Sequence, residues 1–221
     1  MPRPRIHDPE RLLDVAERLI AEAGPEEVTV RGLAVAAGVP NSTIYHSFGS
    51  LPALIGRAWL RGAGYFLDVQ TQLVDRALSG GRPAADGVAD SPAVAAVVAA
   101  ADTSAVVAER RPEAARLMLT VSPDRILGPQ LPGDVLEDLH ELDKRLVRLL
   151  VRLARELWQR GDGAAVEVIT TCVVDLPTAL LKRDLAAYGA AGPEARRRLA
   201  AAVRAVLALP PPDRPRRASA G

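Results

Sequence analysis

Five polar side chains between residues 41 and 46 have the size and chemistry needed to contact a DNA duplex. Hydroxyl, amide, phenol and imidazole groups donate and accept hydrogen bonds, which suits base edges in the major groove and phosphate oxygens. The five residues are Asn41, Ser42, Thr43, Tyr45 and His46. Because they all fall within one short predicted helix, the neighbouring elements decide whether this helix can lie on DNA.

Two short helices joined by a tight turn are predicted to hold these side chains outward. Thr29 is a suitable cap for a helix that ends at Ala37, and Gly38 allows the left-handed backbone of a sharp turn. Apolar residues on both sides of the turn predict one small core, made by Leu33, Ala34, Ala37, Val39 and Ile44. The polar face of the second helix is then free, which is the geometry of a DNA-binding helix-turn-helix.

The chain as a whole is predicted to be all-α, with about nine helices. Hydrophobic residues make up 48% of the 221 residues and aromatic residues only 3%, so the residue types of a β-sandwich are missing. Proline and glycine separate helical patterns at residues 8–23, 29–37, 41–47, 50–78, 91–110, 112–121, 134–160, 164–188 and 193–209. Pro177 is expected to kink the helix that contains it, unless Asp175 caps a restart there.

A change of pattern near residue 50 predicts two domains and a tail. Residues 1–50 form a helix-turn-helix DNA-binding domain that extends into the start of the fourth helix, and residues 51–209 form a helical bundle. Residues 210–221 are rich in proline and arginine and are predicted to be disordered.

The residue patterns of common enzymes and metal sites are missing. The three histidines are far apart, and Lys144 stands where a zinc-protease helix that begins at His140 would need its second histidine. Cys172 is the only cysteine, so neither a disulfide nor a CxxC site can form within the chain. We therefore expect a protein that is not an enzyme, with no catalytic residue, no metal site and no cofactor.

The stretch from Thr29 to Phe48 resembles the DNA-binding domain of the tetracycline-repressor (TetR) family of transcription regulators. The matching residues are Thr29-Val30-Arg31, Leu33-Ala34, Ala37-Gly38-Val39, Thr43-Ile44-Tyr45 and Phe48, followed by Ser50 and Ala53-Leu54. The resemblance covers about residues 7–67. It implies a homodimer of nine-helix chains, in which the first three helices bind DNA and the bundle encloses a small-molecule effector.

The same resemblance implies a transcriptional regulator, and repression of a palindromic operator is expected because most members of the family act by occlusion. The residues expected to bind DNA are Thr29, Arg31, Asn41, Ser42, Thr43, Tyr45 and His46. The residues expected to bind a hydrophobic or amphipathic effector are Trp59, Phe66, Met118, His140, Trp158 and Thr171. Ordinary structural roles remain open for both sets, namely helix capping for the short polar residues and core packing for the aromatic ones.

The helix at residues 164–188 is apolar almost all round, so more than one partner must cover it. The bundle covers one side, and we expect a second copy of the chain to cover the other, together with an apolar stripe on residues 193–209. The alternative is an ordinary core helix of a monomer. No signal peptide is visible, and residues 93–108 are too short and too polar to span a bilayer, so we expect a cytoplasmic protein without a membrane partner.

Departures from the family pattern leave a second function open. Leu51 and Pro52 follow Ser50 where family members often carry a phosphate-binding lysine, and Pro40 replaces the usual hydroxyl-bearing cap. The predicted recognition helix has no lysine or arginine, and residues 1–50 carry five arginines against seven acidic residues, a net charge of −2. The alternative is a helical interaction or adaptor module that does not bind DNA sequence-specifically.

We predict a shallow salt dependence for the binding of an operator duplex. Few phosphates can be neutralised by this domain, and the affinity falls with salt in proportion to their number. The measurement is the binding affinity at a series of salt concentrations. A slope of log affinity against log salt of about −8 per dimer or steeper would contradict the prediction.

Overall fold

The computed structural model describes residues 9–80, 91–121 and 131–213, and all regular secondary structure in these ranges is helical. The predicted all-α class is therefore confirmed, whereas residues 214–221 of the predicted tail lie outside the described residues. The helices are α1 (Pro9–Ala23), α2 (Val30–Ala37), α3 (Asn41–Phe48), α4 (Leu51–Leu78), α5 (Pro92–Ala101), α6 (Thr103–Arg110), α7 (Pro112–Thr120), α8 (Gly133–Trp158), α9 (Gly163–Tyr188) and α10 (Pro193–Leu207).

Local hydrogen bonds explain where the first helices begin and end. The Thr29 hydroxyl accepts a hydrogen bond from the Gly32 amide at 3.1 Å, and the Ser50 hydroxyl accepts one from the Ala53 amide at 3.2 Å. Gly38 ends α2 in the left-handed conformation, with φ 68° and ψ 37°. Each of these ends was predicted from the sequence, because a cap needs only residues within one turn of the chain.

The predicted single helix at residues 91–110 is instead two helices. α5 ends at Ala101 and α6 begins at Thr103, with a bend of 50° between them. Asp102 lies at the bend, where its carboxylate is held by the Arg196 guanidinium of α10, with Nε 2.9 Å from Oδ1. Burial raises the pKa of Asp102, and the Arg196 hydrogen bond opposes that shift.

The turn before Pro177 is widened, and Asp175 makes no side-chain cap hydrogen bond, so the predicted restart at Asp175 is wrong, whereas the predicted kink stays a prediction. The helix continues through Pro177, and the turn before it, Thr171–Asp175, widens into a π-helix in which the Leu176 amide bonds to the Thr171 carbonyl. Proline has no amide hydrogen, and its ring crowds the carbonyl four residues earlier in a regular α-helix. The wider turn accommodates this local conflict without ending the helix.

Helix α4 is shared by two hydrophobic cores. The first core joins α1, α2, α3 and the first half of α4 to Leu117 and Val121 at the end of α7. The second core joins the rest of α4 to α5, α6, the start of α7, α8, α9 and α10. Close approach is possible at Gly56 and Gly62, where an added Cβ would lie 2.8 Å from Val135 Cγ1 and 3.1 Å from Leu117 Cδ2 respectively.

We predict that Gly38→Ala destabilises the chain by about 1–2 kcal/mol, because an L side chain is strained at this positive φ. Among the described residues, apart from the two chain neighbours of Gly38, no atom lies within 4 Å of an added Cβ at this position, so the cost is that of the backbone alone. The control is Gly64→Ala in α4, where an added Cβ also meets no atom within 4 Å and the backbone is helical. That substitution should stabilise by about 0.5–1 kcal/mol. Urea unfolding measures both; equal effects would refute the explanation.

Candidate nucleic-acid interface

Helix α3 has one buried residue, and most of its polar side chains face outward. Ile44 is 0% exposed and packs in the first core, whereas Tyr45 is 53% exposed. Asn41, Ser42 and His46 are also exposed, and Thr43 is half-buried. The structure therefore brings the five predicted polar residues together on one short helix whose outer side is open to a partner.

Two glycines and a small core fix the position of α3. The Val39 amide bonds to the Ala34 carbonyl at 3.0 Å, which closes the turn between α2 and α3. At the other end, Gly49 has φ 75° and its amide bonds to the Tyr45 carbonyl at 2.9 Å. Both glycines stand where the backbone needs a positive φ, so α3 is a short rod with defined ends.

The start of α2, which shortly precedes α3 in the sequence, also carries exposed side chains. Arg31 is exposed, and so is Thr29, whose hydroxyl is occupied in the helix cap described above. The capping role therefore accounts for Thr29 without DNA. Arg31 has a flexible charged side chain on the outside of the domain, which is suited to a phosphate.

A buried carboxylate ties the helix-turn-helix domain to the bundle. Glu17 of α1 is 2% exposed, and its two oxygens accept hydrogen bonds from Arg61 of α4 and Arg111 before α7, each at 2.7 Å. Arg61 also reaches Glu10 at 2.8 Å and Asp14 at 2.7 Å. The pKa of Arg61 is raised overall. Burial lowers this pKa, but the hydrogen bonds to Glu17 and Glu10 raise it by more, so the guanidinium stays charged.

No sequence pattern pointed to this network, because its members lie far apart along the chain. Beside it lies a cleft of about 460 Å³ between α1, α2 and the start of α7. Arg11, Asp14 and Arg18 line one side of the cleft, and Arg111 and Glu113 line another. Its walls carry charges of both signs, unlike the apolar pocket that the sequence predicted for an effector.

The residues predicted to bind an effector lie in different parts of the fold. Trp59 is buried in the first core, where its indole donates to the Val121 carbonyl at 3.2 Å, and Met118 packs against the same core. Phe66 and Trp158 pack against the second core. Thr171 is half-buried in the π-helical turn, and His140 is exposed on α8. Their role in ligand binding stays a prediction.

Two further observations concern other classes of site. Within residues 9–80, 91–121 and 131–213, no group of three or more His, Cys, Asp or Glu side chains could hold a metal ion. By length and composition alone, helix α9 could cross a membrane, and so could α5 and α6 together if the bent pair is taken as one span. Core helices of soluble proteins can have the same length and apolar composition, so the finding is weak evidence for a membrane span.

Residues 12–57 match the family model described as "Bacterial regulatory proteins, tetR family". This segment includes the whole of α2 and α3 and the start of α4. No curated protein matches the chain. The match therefore covers the helix-turn-helix domain, and the rest of the bundle lies outside it.

Solved structures match nearly the whole chain at low identity. A TetR-like transcriptional regulator from Rhodococcus sp. RHA1 has a TM-score of 0.61 and 15% identity, over 94% of this chain and 98% of that one. A TetR-family regulator from Streptomyces coelicolor has a TM-score of 0.57 and 17% identity, over 90% and 97%. FadR from Bacillus subtilis, in complex with stearoyl-CoA, has a TM-score of 0.57 and 18% identity, over 91% and 96%.

We predict that Glu17→Ala lowers the free energy of unfolding by about 1–3 kcal/mol, because Arg111 and Arg61 each lose a charged hydrogen-bond partner at a partly buried junction, while Arg61 keeps Glu10 and Asp14. The control is Glu141→Ala, which removes a carboxylate that bonds to Arg148 at 2.7 Å on the exposed surface of α8. Water solvates both charges there, so little change is expected. Urea unfolding of the three proteins makes the comparison, and a Glu17 effect as small as that of Glu141 would contradict it.

Proposed function

We propose that this chain, which has the DNA-binding domain and the fold of TetR-family transcriptional regulators, is a homodimeric repressor. The dimer binds a palindromic operator, and a small-molecule effector releases it from the DNA. The observation that carries the proposal is the outer face of α3. Ile44 is the one buried residue of this helix, Phe48 packs against the same core, and the polar side chains that face outward are available for contact. We propose that α3 enters the major groove of DNA.

Within this surface the residues divide into two roles. Asn41, Ser42 and Thr43 carry short side chains at the start of α3, which suits contacts with base edges. Tyr45, His46 and Arg31 are longer and suit phosphate oxygens. Thr29 acts indirectly: its side chain caps α2 and so holds the first turn of that helix, with Arg31, against the DNA backbone.

The proposed dimer forms through about residues 164–188 and 193–209. Among the described residues, seven large hydrophobic side chains are exposed. Four of them, namely Val174, Leu180, Tyr188 and Leu209, lie on α9 or just after α10. A second copy that packs α9 and α10 against these helices would remove this apolar surface from water.

The dimer explains why the operator should be palindromic. Two copies of α3 related by a two-fold axis read two half-sites, whose centres lie about 34–36 Å apart for one turn of DNA. An effector that changes this separation weakens binding, because both half-sites can no longer be occupied together. Such a regulator works in the cytoplasm, performs no catalysis and needs no cofactor.

Effector binding in the bundle is proposed by analogy of fold. FadR from Bacillus subtilis was solved with stearoyl-CoA, so a protein of this fold accommodates a small molecule. For this chain we propose a mostly apolar effector and retain Trp59, Phe66, Met118, His140, Trp158 and Thr171 as the residues to test.

An adaptor module without sequence-specific DNA binding is the second candidate. The observation in its favour is the acidic balance of residues 1–50, which carry five arginines against seven acidic residues. A polyanion is a poor partner for a surface of this charge unless the arginines face it.

We predict that Thr43→Ala weakens binding of the selected duplex, that Tyr45→Phe weakens binding of duplexes of any sequence because a phosphate contact is lost, and that both variants leave the dimer intact. The duplex is selected from random DNA with the wild-type protein, and binding is measured by mobility shift at low salt. Loss of one good base or phosphate contact corresponds to about 1–3 kcal/mol, that is, about five- to 150-fold in affinity.

The matched control is Ser79→Ala, which removes a hydroxyl from an exposed residue at the end of α4, away from both α3 and the proposed dimer surface. It should bind the duplex like the wild type. Failure of the wild type to select any sequence would favour the adaptor. Sedimentation of all variants checks the dimer, and a wild-type monomer at micromolar concentration would refute the proposed assembly. Dissociation of the Thr43 or Tyr45 variant would show that the residue has a structural role rather than a role in DNA contact.

A further inference from the structure

A buried amide in the bundle has one half paired and the other half unpaired. Gln70 lies in the second half of α4 and is 2% exposed. Its Nε2 donates to the Ala100 carbonyl of α5 at 3.1 Å. Its Oε1 is buried and has no hydrogen-bond donor within the described parts of the chain.

The orientation of this amide is fixed by chemistry. A backbone carbonyl only accepts hydrogen bonds, so the nitrogen of Gln70, and not its oxygen, must face Ala100. Exchange of the two ends would place two acceptors against each other and would leave a donor unpaired on the far side. The unpaired end of the amide is therefore its oxygen, Oε1.

The bend between α5 and α6 explains the paired half. Helical hydrogen bonding stops with the bond from the Asp102 amide to Val98 and resumes with the bond from Ala105 to the Asp102 carbonyl. The Ala99 carbonyl bonds to the Thr103 hydroxyl at 3.4 Å, and the Ala100 carbonyl bonds to Gln70. The bend thus accounts for the nitrogen of Gln70, but it gives no role to the oxygen.

A buried acceptor without a donor is costly, by about 1–3 kcal/mol. The second core beside Gln70 consists of apolar side chains, many of them small. The alanines of α5, α6 and α7 in this core are Ala96, Ala100, Ala101, Ala105, Ala108, Ala114 and Ala115. An apolar environment disfavours a charged partner for Oε1 and favours a neutral donor.

We propose that Gln70 Oε1 is the polar anchor of the effector site. Its ligand is a mostly apolar molecule that presents a neutral hydroxyl or N–H group. Ethers and esters of the same shape have no donor, so they leave Oε1 unpaired and bind more weakly. The inference rests on the proposed function, because it assumes that an effector enters the bundle. It also places the ligand on α4, the helix whose first half supports α3.

The test compares alcohols with ethers on the purified full-length chain without DNA. The probes are hexanol, octanol and decanol, each paired with the methyl ether of the same alkyl chain, and binding is measured by calorimetry. For at least one pair, the wild type should bind the alcohol about tenfold more tightly than the ether, which corresponds to one hydrogen bond to a buried acceptor.

Two variants remove the acceptor. Gln70→Met keeps the length of the side chain and Gln70→Leu keeps an apolar branch, and each should bind an alcohol and its ether within about twofold of each other. The control is Thr71→Val on the next position of α4, because the Thr71 hydroxyl already bonds to the Leu67 carbonyl at 2.8 Å. This variant should retain the preference for alcohols. Thermal unfolding identifies any variant that fails to fold, and the second Gln70 variant then provides the comparison.

The possible outcomes distinguish the anchor from the proposed function. Equal binding of alcohols and ethers by the wild type, binding of neither, or a preference that survives in the Gln70 variants overturns the anchor. A Gln70-dependent preference supports it, even where the same alcohols fail to release the selected duplex, and that failure would count against release by an effector. Release by alcohols and ethers alike would support the proposed function and overturn the anchor.

Discussion

The relation between the two parts of the molecule depends on the carboxylate of Glu17. It lies between the guanidinium groups of Arg61 and Arg111, and so joins α1 to both α4 and the start of α7. A carboxylate removed from water is tolerated only where charged partners and hydrogen bonds replace its hydration. The geometry of three side chains therefore fixes how the helix-turn-helix domain stands on the bundle.

Apolar packing reinforces this junction. Leu117 and Val121 at the end of α7 belong to the same core as Leu12 and Ile44 of the helix-turn-helix domain. Gly62 lets α7 approach α4 closely, since an added Cβ would lie 3.1 Å from Leu117. The charged and apolar contacts occur on the same helices, so a displacement of α7 or α4 in the bundle must also displace the platform of α3.

Helix α4 connects the other features of the molecule. Its first turn supports the helix-turn-helix domain, its middle carries Arg61, and its second half carries Gln70 at the bend between α5 and α6. On its outer side, Asp68 and Asp75 pair with Arg145 and Arg152 of α8, at 2.5 Å and 2.6 Å. Both pairs span 77 residues, so α4 and α8 run parallel in a constant register.

The bend at Asp102 also connects the bundle to the proposed dimer surface. Arg196 of α10 binds Asp102 and reaches Glu109 of α6 at 2.7 Å. The helix that provides part of the proposed interface therefore holds the two ends of α6. The proposed assembly and the shape of the bundle core would in this way be linked through one arginine.

The sequence by itself determined the helical class, most helix ends and the polar residues of α3. These depend on caps, glycines and the spacing of apolar residues, which act over a few neighbouring positions. It did not determine the bend at Asp102, because no proline or glycine marks it and its partner Arg196 is 94 residues away. It flagged Pro177 as a disruption but could not specify the π-helical turn that accommodates it.

Only the tertiary structure decided which charges and amides meet. Glu17 is 44 residues from Arg61 and 94 from Arg111, and nothing in the local pattern distinguishes it from the exposed acids of α1. Gln70 reads as a surface residue by type, yet helix packing buries it with an unpaired oxygen. A sequence specifies which side chains can bond, but the path of the folded chain sets the distances between them, and burial sets how strongly each contact counts.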